Sequence, residues 1–233
     1  MQLASVPLAR ALAYIETTEL NPKGSAFFPA LIEKIVERFE FQKYPQTFEQ
    51  TNEDKGVEFF EGRWNGVNVN KLAIFTGAII VDTSASTTES ERIIDEALLW
   101  GAADLGLNYK TGMIQRRQYV SDIVFYSNIR LLEVHPAFTK LQRAVTDAGE
   151  KYLWQRREYD LTHFGLDFDK TLAPLISAPF SIQRRGNALF ATNKYFSEAP
   201  FPTEVHIRLL EQLESDLTSN AEKEGNRAIR LED

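Results

Sequence analysis

The stretch Val57-Glu58-Phe59-Phe60-Glu61-Gly62-Arg63-Trp64-Asn65-Gly66-Val67-Asn68-Val69-Asn70-Lys71-Leu72-Ala73-Ile74-Phe75-Thr76-Gly77-Ala78-Ile79-Ile80-Val81-Asp82-Thr83 decides the fold. It holds three β-prone runs with two short breaks. Asn65-Gly66 is a two-residue hairpin signal, because both central positions of a type I′ turn need positive φ. Thr76-Gly77 is a second short break between apolar runs. Strands over 57–64, 67–75 and 78–83 therefore form an antiparallel meander. Leu72 to Phe75 and Ala78 to Val81 are apolar on both faces, which places them in mid-sheet.

Reading outward, a helix precedes this meander. Phe28, Leu31, Ile32, Ile35, Val36 and Phe39 share one face at helical spacing, and Pro29 sits in the first turn. Ala11 to Leu20 reads as a first strand, and Phe39 to Tyr44 as a strand end limited by Pro45. A second helix is expected from Thr88, with Thr88 and Glu91 at capping-box spacing. Its stripe is Ile94, Ala97, Leu98, Gly101 and Leu105, and Gly106 is its stop. Gln118 to Tyr126 reads as a strand. Pro136 to Tyr152 reads as a helix with Phe138, Leu141, Val145, Ala148 and Tyr152 on one side. Strands follow at Glu158–Phe168, Phe180–Arg184 and Ala188–Phe196. The last helix begins after Pro202-Thr203, with Leu209, Leu210, Leu213 and Leu217 as its stripe.

Hairpins dominate this order, so the expected class is α+β: a mostly antiparallel sheet with four helices packed on it. A single domain over 1–218 is favoured, with 106–112 as the place for a subdivision and 219–233 as a flexible polar tail. Ala78–Leu105 and Leu189–Leu217 both read as strand, Ser/Thr-containing loop and capped helix, a faint echo that is either an internal duplication or simply a common connection.

Composition narrows the function. The chain has 233 residues, 43% of them hydrophobic and 25% charged, which excludes wholesale disorder. Asp and Glu outnumber Lys and Arg by 33 to 26, a net charge of −7 that disfavours nucleic acid and anionic membrane. The absence of cysteine removes disulfides, thiolate metal sites and cysteine nucleophiles. The N-terminal residues lack a signal-peptide pattern, and no apolar run reaches the roughly 20 residues of a membrane span, so a cytoplasmic protein is expected.

Three motifs bear on chemistry. Asp82-Thr83-Ser84-Ala85-Ser86 follows an apolar strand and precedes a helix. It resembles the D-x-S-x-S loop of von Willebrand A domains. That resemblance implies a Mg²⁺ site built on Asp82, Ser84 and Ser86, completed by Thr139 and by Asp167 or Asp169. The strand before Asp82 reads as half of a hairpin, unlike the parallel sheet of that family. The competing reading is a Ser/Thr-rich helix cap. Asp167-Phe168-Asp169-Lys170-Thr171-Leu172 resembles the nucleophile loop of haloacid-dehalogenase-type phosphatases, implying phosphoryl transfer by Asp167 and Asp169. Only Asp216 and Asp233 follow as aspartates, so the metal-binding acids of that family have no counterpart.

The tripeptide Gln-Arg-Arg occurs three times, supplying Arg116 and Arg117, Arg156 and Arg157, and Arg184 and Arg185. One arginine of each pair on a common face would bind an anionic ligand or RNA; the alternative is pairing with surface acids. His135, His163 and His206 show no zinc-helix spacing, and His206 reads as structural. No serine-hydrolase elbow, Walker loop or dinucleotide fingerprint is present. The leading expectation is a non-catalytic binding or assembly protein with a protein partner, one subunit of a larger complex. The alternatives are a divalent-metal or phosphoryl-transfer protein at the aspartate loops, and an anion binder at the arginines.

Overall fold

A computed structural model describes residues 1–23, 28–46, 56–133, 135–153, 157–169, 171 and 178–229. Strand β1 (Gln2–Tyr14) is followed by helices α1 (Thr17–Leu20) and α2 (Phe28–Phe39). The meander β2 (Val57–Trp64), β3 (Val67–Phe75) and β4 (Ala78–Thr83) leads into α3 (Thr87–Asp104). Then come β5 (Arg116–Tyr126), α4 (Pro136–Leu153), β6 (His163–Leu166), β7 (Phe180–Arg184), β8 (Lys194–Ala199) and α5 (Thr203–Ile229). The eight strands form one antiparallel sheet in the order β2-β3-β4-β1-β5-β8-β7-β6, so the fold is α+β.

The deciding stretch folds as read. Trp64 faces Val67 across the Asn65-Gly66 turn, where φ is 47° and 81°. Phe75 pairs with Ala78 across Thr76-Gly77, and a register shift interrupts the ladder between Val69 and Lys71. The first strand differs from expectation. It spans Gln2–Tyr14, and Thr17–Leu20 is helical. Ala9, Ala11, Ala13 and Ile15 are buried at alternate positions, but alanine carries too little hydrophobic contrast to announce a strand. The expected strand end at Phe39–Tyr44 is not a strand, and only a bridge from Lys43 to Phe60 forms there. The cap of α3 lies two residues before the expected one: Ser86 Oγ accepts from the Glu89 amide at 3.2 Å. Gly106 ends α3 with φ of 71°, and Leu107 N donates to Gly101 O at 3.0 Å.

The chain divides into two compact units. The first is Ser5–Asp122 with Pro200–Glu204; the second is Met1–Ala4, Ile123–Ala199 and Val205–Asp233. In the first, α2 and α3 cover an apolar core that includes Ile35, Phe39, Phe59, Leu72, Ile94 and Leu98. In the second, Phe125 stacks on Tyr195 at 5.7 Å, with Ile123, Leu131, Leu132 and Ile182 buried. Helix α5 buries His206 and Leu210, while Leu209 is 42% exposed. Of the expected leucine stripe, Leu210 is buried, Leu213 and Leu217 are half-buried, and Leu209 alone turns outward.

The echo read in the sequence is a topological repeat. The order β-α-β-β-β-α occurs twice, as β1, α2, β2, β3, β4, α3 and as β5, α4, β6, β7, β8, α5, setting aside the short α1. From either edge of the sheet the strand sequence is second, third, fourth, first. Residues that correspond in the two copies meet within the first unit. Thr87 N donates to Thr203 Oγ1 at 3.1 Å, and Thr203 N donates to Thr87 Oγ1 at 2.8 Å, across a spacing of 116 residues. Thr88 and Glu204, at the same spacing, are bonded at 3.2 Å.

Candidate functional site

Helix α4 forms where it was expected but does not bury its stripe. Phe138 is 46% exposed, Leu141 58%, Val145 38% and Tyr152 70%. Leu153 and Ala148 are exposed as well. The face turned inward is Thr139, Gln142, Thr146 and Gly149. At 100° per residue, this is a rotation of about a quarter turn from the setting that would bury the apolar stripe. Two contacts hold the rotation. Gln142 Nε2 donates to Tyr159 O at 2.5 Å. Gly149 lets the Tyr159 ring approach so closely that a Cβ there would lie 3.1 Å from Tyr159 Cε2. The corresponding helix α2 behaves in the opposite way, with Ile35 and Phe39 buried and Leu31, Ile32 and Val36 packed on the core.

The inward face of α4 borders a polar cleft of about 310 Å³, lined among others by Thr139, Gln142, Arg130, Glu133 and Asp160. Arg130 donates to Glu133 at 3.0 Å, a bond that holds its guanidinium pKa above the ordinary value. Beside the cleft, Arg184 pairs with Asp160, and both side chains are almost fully buried. Arg184 Nη1 also donates to Phe190 O at 3.1 Å, and its guanidinium lies over the rings of Phe190 and Tyr195. Burial pushes the Tyr195 phenol up, and its oxygen accepts from the Leu131 amide at 3.2 Å. These groups are committed to one another, as a buried ion pair must be to persist.

The motif residues hold local positions. Arg10 grips Asp82 with both forks, Nε to Oδ1 at 2.7 Å and Nη2 to Oδ2 at 2.8 Å. That bond raises the Arg10 pKa against the lowering effect of burial. Ser84 Oγ accepts from Asn70 at 2.8 Å, and Ser86 Oγ is the helix cap. Around them runs a buried hydroxyl network. Ser90 Oγ donates to Ala9 O at 2.7 Å and lies 2.9 Å from Thr83 Oγ1, while Ser121 Oγ donates to Thr203 Oγ1 at 3.3 Å. Thr139 belongs to the cleft of the second unit. Asp169 accepts from the hydroxyl and amide of Thr171 in an exposed turn, and these bonds lower its pKa. Asp167 Oδ1 accepts from Phe168 N at 3.0 Å. Among the described residues, no group of three or more His, Asp or Glu side chains is placed to hold a metal ion.

The arginine pairs take separate roles. Arg116 lies over Tyr14, 3.9 Å from the ring centroid. Arg117 bonds Glu91 at 3.2 Å and also Asp95. Glu91 in turn accepts from Tyr119 at 3.0 Å; burial, together with that bond, pushes the Tyr119 phenol up to about 12. Arg184 serves Asp160, and Arg157 and Arg185 are exposed. Arg156 lies outside the described residues. His206 is fully buried with Nε2 2.8 Å from Ser197 Oγ, the structural place expected of it.

The outward stripe of α4 was the feature that sequence reasoning missed. Periodicity names the residues on a face but not the direction of that face. The one local signal was the run of small and polar residues beside the stripe, Thr139, Gln142, Thr146 and Gly149. Among the described residues, no helix is long and apolar enough to cross a membrane. No family model matches the chain, and no curated protein matches it.

Proposed function

We propose that this protein is a non-catalytic binding or assembly protein that docks a partner on α4. The observation that carries the reading is the exposed stripe of Phe138, Leu141, Val145 and Tyr152 on a helix whose inward face is polar. Leaving these side chains in water forgoes about 1.5–3 kcal/mol for each that full burial would return. Exposed contiguous apolar surface of this kind marks interaction sites. Charge narrows the partner. Beyond Ala137 and Ala144, the outer edge of the stripe is bordered by Lys140 and Lys151, on a chain whose net charge is −7. The matching partner is an apolar helical segment flanked by acidic side chains. The commitment of Asp82 to Arg10 and of Asp160 to Arg184 supports a role without catalysis.

The test uses a synthetic amphipathic peptide with a leucine stripe flanked by glutamates, and a counterpart flanked by lysines. Fluorescence anisotropy against the full chain should show saturable binding of the glutamate peptide, weakened by salt. Leu141→Glu should abolish binding while shifting stability by no more than about 0.5 kcal/mol, as for other exposed positions. No binding, or binding indifferent to Leu141→Glu, overturns the reading. A self-association dissolved by Leu141→Glu would also overturn it, by giving the face to a second copy.

A further inference from the structure

The first unit carries a second feature, unconnected with α4. Between α2, α3 and the sheet lies a mainly apolar cavity of about 260 Å³, lined among others by Leu31, Ile35, Leu72, Ile79, Leu98 and Trp100. An apolar cavity of about 150 Å³ stays dry and accepts a benzene ring, so this one has room for about ten carbon atoms. Thr17 is among its few polar neighbours, and its hydroxyl is already spent on the carbonyls of Phe75 and Thr76 at 3.0 and 2.9 Å. The cavity therefore offers a ligand apolar surface and little else.

The space beside it is different. Trp100 and Leu105 line the cavity and also an open cleft of about 460 Å³, whose other walls are Lys34, Glu37, Arg38 and Asp104. Lys34 reaches Glu37 only at 3.4 Å, with both side chains well exposed. The Arg38 guanidinium lies 4.8 Å from the Trp100 ring centroid and has no carboxylate partner among the described residues. A cation stacked on the aromatic wall of an apolar cavity, with its hydrogen-bonding edge unspent, fits a ligand with an anionic head and an apolar tail.

We infer that the cavity between α2 and α3 binds a medium-chain carboxylate, its alkyl tail against Leu72, Ile79 and Leu98 and its head on Arg38. Trp100 separates the two environments and reports on both. Asp104 and Glu37 are the cleft's two carboxylates and oppose an anionic head, Glu37 with Lys34 beside it.

Sodium decanoate, below its micelle concentration, is the probe, with decyltrimethylammonium and hexanoate as controls. Decanoate should raise the melting temperature saturably and change tryptophan emission, a change lost in Trp100→Phe. Arg38→Gln, at an exposed position, should weaken binding about tenfold, the value of one charge-assisted hydrogen bond. Asp104→Asn should tighten it. Ala97→Phe, which fills the cavity, should abolish it with an unchanged circular dichroism spectrum; if that variant does not fold, Arg38→Gln alone decides. A flat response to decanoate overturns the inference. An equal response to the ammonium amphiphile, or binding unaffected by Arg38→Gln, also overturns it, since either would mark nonspecific surfactant action.

Discussion

Single side chains account for the string that looked most like a cation site. Asp82 gives both oxygens to Arg10, so a divalent ion would have to displace a bidentate pair of which the carboxylate is buried. Mg²⁺ should leave the melting temperature unchanged at fixed ionic strength, and Asp82→Ala should cost about 1–3 kcal/mol by stranding Arg10. Saturable Mg²⁺ binding by calorimetry, lost in Asp82→Ala, would show that the ion wins. Of the hydroxyls that made the string conspicuous, Ser86 caps α3, Ser84 accepts from Asn70 and Thr83 bonds Ser90, while the adjoining Thr87 exchanges buried bonds with Thr203. Thr87→Val and Thr203→Val should each cost about 1–3 kcal/mol, because each leaves a buried N–H without its acceptor. The double variant should cost less than the sum, as expected of side chains that share partners. Additive urea-denaturation energies would mean the two bonds do not act together. The Glu214 carboxyl sets an acid limit. Burial pushes its pKa up, but bonds from the Met1 ammonium, the Ser127 hydroxyl and the Asn128 amide leave it below the ordinary value of 4.5. A depressed folded pKa stabilises above 4.5 and is lost as pH falls through the folded value. Glu214→Gln should therefore flatten the stability profile below pH 4.5, and an unchanged acid limb would remove this residue from it.

Elements differ in how much of themselves they show in sequence. The hairpins at Asn65-Gly66 and Thr76-Gly77 were legible because turn chemistry is local: each is a two-residue break between β-prone runs, and at the first of them Asn65 and Gly66 both take positive φ. Strand β1 was not, because its inward residues are Ala9, Ala11 and Ala13, whose burial depends on neighbours distant in sequence. Helix α5 was legible in position and in most of its stripe, Leu209 being the exception. His206 and Leu210 face in while Leu209 faces out, and adjacent leucines cannot be told apart by periodicity. Leu210→Ala should cost about 2–5 kcal/mol and Leu209→Ala about 0.5 kcal/mol or less. Equal denaturation midpoints would reverse that assignment. Helix α4 was legible in extent and hidden in direction, because its rotation is set by Tyr159, which follows the helix in sequence and is held by Gln142 and Gly149.

At the scale of the molecule, the repeat and the division into units do not coincide at their edges. Strand β1 gives Met1–Ala4 to the second unit and its remainder to the first. Strand β5 is divided at Asp122 and Ile123, and the first two residues of α5 belong with the first unit. Each unit is therefore completed by pieces of chain whose continuation lies in the other. A boundary at 106–112, where the sequence suggested a subdivision, would cut before β5 and leave the first unit without Arg116–Asp122, including Arg117 and Ser121. The glycine at 106 ends a helix and does not mark a linker. Because β1, β5 and α5 each supply residues to both units, unfolding should be cooperative across the chain. Val81 in β4 and Ser197 in β8 occupy corresponding places in the two copies, one in each unit. Their amides should exchange with deuterium at the same limiting free energy, equal to the global stability from urea denaturation. Exchange at Ser197 faster by several hundredfold than at Val81 would mean the second unit opens alone, and would break the link between shared strands and cooperativity.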